Sequence, residues 1–130
     1  MNTEVEIHDS RLLRIDSSEG DVVLHVDAYV HRSEGRPGVD AGTGWTQPLV
    51  LRFRAATVAA TAAEFPVWLL DGFLRLGDHT RDNLIAMPLD FSGPCRLEVE
   101  AANSVRIVVE GDGVTGEFEG PAVYVEEFIP

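Results

Sequence analysis

Lysine is absent: all ten basic residues are arginine, set against 22 acids for a formal net charge of −12. Binding a phosphate backbone requires clustered cations, and bases are outnumbered 6 to 10 in residues 1–65 and 4 to 12 in residues 66–130. Nucleic acid is therefore not an expected partner. Cys95 is the only cysteine, which rules out an intramolecular disulfide and a cysteine-based zinc site. Flanked by Pro94 and Leu97, it reads as an inert, packed thiol. No run approaches the roughly 20 apolar residues of a membrane helix, and the polar, acidic start MNTEVEIHD lacks the apolar stretch of a signal peptide. A cytoplasmic protein without membrane contact is expected. The catalytic signatures H-E-x-x-H and G-x-S-x-G are missing too, as is any glycine-rich phosphate cradle ahead of a helix.

What is present is alternation. Between Asp21 and His31, Val22, Leu24, Val26, Ala28 and Val30 fall on one face, and Val23, His25, Asp27, Tyr29 and His31 on the other. The first set requires a core, whereas the second offers two imidazoles, a carboxylate and a phenol in a row. At ~3.3 Å per residue, His25 and His31 stand roughly 20 Å apart and cannot share an ion, while His25 and Asp27, at ~7 Å, can.

Short alternating segments recur along the rest of the chain. Val5 and Ile7, then Arg11 to Ile15, flank a polar break at His8, Asp9 and Ser10, and Ser17 to Gly20 turns the chain into the strand just described. Pro48 to Ala55 sends Leu49, Leu51 and Phe53 inward and Val50, Arg52 and Arg54 outward, which sets those arginines to neutralise Asp27 or Glu34 if the two strands pair. AATVAATAAE fits either a strand or a turn or two of helix. VWLL and FLRL read as a hairpin about Asp71-Gly72, followed by a loop GDHTRDN and a strand LIAMPLDF. RLEVE, VRIVVE and VTGEFE are separated by Ala102-Asn103-Ser104 and Gly111-Asp112-Gly113, with a last strand at AVYVEEF. The fold expected is one all-β domain over residues 1–130, an antiparallel β-sandwich or open barrel of about nine to ten short strands with little helix.

The opening IHDSRLLRI, with its turn and following apolar strand, resembles several groups of small uncharacterised bacterial all-β proteins that begin with a His-Asp-Ser or His-Asp-Ala step, some of them suspected toxin-immunity proteins. The resemblance covers about residues 5–30. It implies a fold rather than an activity, and it gives His8 and Asp9 no role beyond shaping a corner. The run from Gly20 through His25, Asp27, Glu34 and Gly38 is also loosely similar to the first metal motif of cupin barrels, and His79 with Asn83 to part of the second. Asp27 stands where that motif has a histidine, and its Glu is displaced.

The candidate binding segment is the stretch Arg32 to Trp45, rich in glycine, read as a long loop that Trp45 pins at its exit, with Arg32 or Arg36 paired to Glu34 or Asp40. Arginine and tryptophan are the commonest interface anchors. Beyond Arg106 there is no base, only Glu110, Asp112, Glu117, Glu119, Glu126 and Glu127. Two functions follow as expectations. The first is a non-enzymatic module without cofactor whose acidic sheet surface and loop, through Arg32, Glu34, Arg36, Asp40 and Trp45, recognise a protein partner, a basic toxin if the resemblance holds, with a homo-oligomer as another arrangement. The second is a small cupin-like barrel that binds a metal or ligand through His25, Asp27, Tyr29 and His31.

Overall fold

A computed structural model describes residues 1–61 and 64–130. Ten strands account for nearly all of it: β1 (Asn2–Ser18), β2 (Asp21–Ser33), β3 (Gly42–Phe53), β4 (Thr57–Ala60), β5 (Val67–Leu76), β6 (His79–Asp82), β7 (Leu84–Met87), β8 (Leu89–Ala101), β9 (Val105–Phe118) and β10 (Val123–Phe128). Every pairing is antiparallel. The order β3-β2-β1-β5-β8-β9 closes on itself through β3–β9, giving a six-stranded barrel with β4, β6, β7 and β10 outside it. Of the expected sandwich or open barrel, the barrel is the one formed, and it is closed.

Alternation builds the core as expected. Val22, Leu24, Val26, Ala28 and Val30 of β2 and Leu49, Leu51 and Phe53 of β3 are all buried, and they form one core with Leu12, Leu97, Val99, Ile107, Val109 and Val114. The interior retains a void of only about 20 Å³, room for about one water molecule. The β1–β2 turn carries Glu19 at φ 54° and Gly20 at φ 84°, the positive pair that a type I′ hairpin requires.

The His-Asp-Ser step is a corner built by hydrogen bonds. Between the pairs Glu6–Tyr29 and Arg11–Asp27 lie four residues of β1 and one of β2, so β1 bulges there, with Asp9 at φ 73°. The Ser10 hydroxyl donates to the Glu6 carbonyl and accepts from the Tyr29 amide. His8 holds the Leu70 carbonyl through Nδ1 at 2.8 Å, and its amide donates to the Asn83 side chain. That carbonyl, followed by the Asp9 carboxylate, raises the His8 pKa above its ordinary value.

Several expectations fail where period two cannot tell a turn from a bulge. Asp71-Gly72 is no hairpin turn: β5 runs straight through it, with Leu70 the extra residue between the pairs Leu69–Ala101 and Asp71–Glu100. Gly72 is required because a β-carbon there would lie 2.6 Å from the Glu98 carbonyl oxygen. Gly111-Asp112-Gly113 likewise lies inside β9, opposite a bulge in β8. GDHTRDN is a turn followed by β6, which pairs with β5. The Ala-rich stretch supplies β4 at Thr57–Ala60, paired with β9, and its positions 62–63 lie outside the described residues. The loop after β2 is shorter than expected, spanning only 34–41, and Trp45 lies within β3 opposite Val30. The second face of β2 is not open along its length either, since Val23, Tyr29 and His31 are buried.

Two outcomes follow. Phe53→Ala should lower unfolding free energy by about 3–5 kcal/mol in denaturant titration, because Phe53 is fully buried where the barrel closes. A histidine with a raised folded pKa adds stability that is complete below 6.5 and is lost as pH rises through the folded value. Thermal melts across neutral pH should show a small fall of that kind, absent from His8→Ala.

Candidate binding surface at one end of the barrel

The second face of β2 divides into three separate contacts. His25 Nε2 lies 3.0 Å from the Asp16 carboxylate, and Arg14 beside it lowers the Asp16 pKa by hydrogen bonding and charge. Asp27 faces Arg11 at 3.8 Å. Arg52 and Arg54 do not neutralise Asp27 or Glu34: Arg52 pairs with Asp21 at 3.3 Å, and Arg54 donates to the Phe91 carbonyl. Tyr29 and His31 form the third contact, and it is structural. The Tyr29 hydroxyl donates to Glu126 at 2.7 Å, and burial together with that carboxylate raises the phenol pKa. His31 is 4% exposed, with Tyr29 and Phe128 edge-on at 5.1 and 5.2 Å and Glu6 3.6 Å from Nε2. Tyr29 and His31 of β2 with Glu126 and Phe128 of β10 fasten the two strands across Gly44, whose missing side chain leaves room for the Tyr29 hydroxyl.

The cupin-like set is therefore dispersed. His25 and Asp27 have different partners, Glu34 is exposed at the loop entrance, and His79 is exposed on β6. Among the described residues, no three histidine, cysteine or acidic side chains come close enough to hold a metal ion.

The arginine- and tryptophan-bearing stretch stays together at one end of the barrel. Asp40 accepts from the Arg36 amide at 2.7 Å and lies 3.7 Å from its Nε, and Ser33 bonds both Gly35 and Ala41. The loop is thus a compact, self-bonded turn with the Arg36 side chain 77% exposed. It overhangs a cleft of about 660 Å³ formed with Met1, Glu4, Arg81, Leu84, Met87 and Pro88, in which Arg81 is paired to Glu4. Arg32 lies on the opposite side of the rim. Its guanidinium stacks on Trp45, 4.6 Å from the ring centroid, while Trp45 donates to Thr43 and meets Tyr124 edge-on at 5.3 Å.

Beside this rim runs β10, which pairs only with β3 and ends the sheet. Val123, Tyr124, Val125 and Ile129 are all exposed large hydrophobics there, interleaved with Glu126 and Glu127. Reasoning from the sequence missed this edge, although VYVEE in a tail without bases was a visible signal. It also missed Trp68 and Leu70, which are more than half exposed on β5 with Arg11 over the Trp68 ring. Comparison of the chain with family models, with curated proteins and with solved structures gives no match.

Gly44→Ala should drive a β-carbon into the Tyr29 hydroxyl and lower stability by about 1–3 kcal/mol. Amide exchange in residues 123–128 should speed up, and adding Tyr29→Phe should recover part of the loss.

Proposed function

We propose that the chain is a non-enzymatic interaction module that recognises a basic protein partner along the free edge of β10, with Arg36 on the adjoining loop as a second contact. The free edge carries this reading. A strand at the end of a sheet presents unpaired backbone donors and acceptors on one side, and an extended segment of another chain can pair with them. Here the edge combines exposed Val123, Tyr124 and Val125 with Glu126 and Glu127, in a tail that holds six acids and no base beyond Arg106. Such a surface favours a partner strand bearing lysine or arginine, and it speeds the approach of a basic protein.

The loop adds a contact of a different kind. Phe128 is the register partner of Gly42, so β10 ends where the loop re-enters the barrel. Arg36 is held by Asp40 but remains largely exposed, a form in which an arginine anchors an interface. The barrel interior has no room for a substrate, and the strand-face histidines lie apart, His25 beside Asp16 and His31 buried under Phe128, which weighs against the cupin-like enzyme. An immunity-like role in the cytoplasm, against a basic toxin, accords with the charge and with the resemblance of the opening segment.

The test is capture of a partner by the immobilised chain, compared with Arg36→Ala and with Glu119→Arg/Glu127→Arg. Both variants should keep the parent's melting temperature. Each should weaken capture by about tenfold or more, and the parent's capture should fall steeply with salt. A partner held equally by the parent and both variants, or a chain that sediments as a dimer through β10, overturns the reading.

A further inference from the structure

The partition of β3 leaves the barrel open at one end. Its pairing with β9 begins at Leu49–Phe118, and the residues before that, Thr43 to Thr46, pair with β10 instead. The mouth so formed holds a second cleft of about 550 Å³, whose walls include Met1, Thr3, Arg32, Gln47, Met87, Pro88 and Phe118. Alternation along β2 puts Arg32 on the same side as Ala28 and Val30, which places a guanidinium at the entrance to an otherwise apolar interior.

Arg32 differs from most arginines of this acidic chain. Arg11, Arg14, Arg36, Arg52, Arg81, Arg96 and Arg106 each pair with a carboxylate. Among the described residues, Arg32 has no carboxylate within 4.0 Å, and its guanidinium lies over the face of Trp45. That face is itself fixed, by the indole N–H on Thr43 at 2.8 Å and by Tyr124 at the ring edge. Stacking holds a guanidinium by its plane and leaves its N–H edge free for a planar, bidentate acceptor. Gln47 is tied to the Gly120 carbonyl at 3.0 Å, so it adds shape rather than charge.

We infer that this mouth is a binding site for a small organic carboxylate with an apolar body. The carboxylate meets the Arg32 fork and the body lies against Met87, Pro88 and Phe118. Among the described residues, Arg32 is the one cationic side chain in these walls, which suits a monocarboxylate. The volume falls within the range of small-molecule sites. The site uses neither Arg36 nor a partner strand, and it shares with the β10 edge only Tyr124, which supports Trp45.

The test uses the full chain with Trp68→Phe, so that Trp45 alone reports fluorescence. Hexanoate and phenylacetate should shift the Trp45 emission saturably with Kd of order 1 mM or below. Hexanol and hexylamine, which lack the anion, should bind at least about tenfold more weakly, as should hexanoate to Arg32→Met, which keeps an apolar side chain over the indole. Equal responses to hexanoate and hexanol in the parent overturn the inference without recourse to any variant, and so does the lack of a saturable response. A short peptide with a free C-terminal leucine, compared with its amide, separates the two sources of a carboxylate. Much tighter binding of the free-acid peptide than of hexanoate would overturn the assignment to a small molecule.

Discussion

β3 has two edges and three neighbours, and the rest of the molecule follows from how it divides between them. One edge is filled by β2 along nearly its whole length, from Val22–Phe53 to Arg32–Thr43. The other goes to β9 over Leu49–Phe53 and to β10 over Gly42–Thr46. Where β9 holds it, the cylinder is closed, Phe53 is fully buried and the interior is filled. Where β10 holds it, the closing strand is lost, the mouth stays open, and β10 itself is left with a free edge. The same partition thus creates a closed, filled end and an end where backbone groups and side chains remain exposed.

The features available for binding gather at that end for a physical reason. A strand that leaves the barrel must be fastened by something other than the cylinder, and Tyr29 and His31 with Glu126 and Phe128 supply that fastening on the outer face. Of the imidazole and phenol side chains in that row, Tyr29 and His31 are therefore buried against β10. On the inner side, Trp45 closes against Tyr124 and carries Arg32. Two arginines of the same short stretch therefore serve opposite sides of one rim, Arg36 outside and Arg32 inside.

Much of this was legible in the sequence, and what was not has a common cause. Period-two alternation identified the inward residues of β2 and β3, because a side chain's face depends only on its own strand. Partners depend on register, which alternation does not carry. Asp27 was expected to meet an arginine of β3 but meets Arg11 of β1, since its neighbour on β3 is Pro48. Glycine misled in the same way: Gly72 and Gly111 carry the composition of turns, yet each is needed because another backbone passes too close for a β-carbon. The residue types of the open end, Arg32, Arg36 and Trp45, could be read directly. Which of them would be stacked, paired or free could not, because that rests on where β10 crosses.

The central claim is that recognition belongs to the open end of the barrel, and hydrogen–deuterium exchange of the full chain with and without its captured partner tests it most directly. The amides of residues 123–128 and 34–41 should exchange more slowly in the complex, with the closed end around Phe53 and Val114 unchanged. Protection confined to β5 around Trp68 and Leu70, with β10 exchanging as in the free chain, would contradict it.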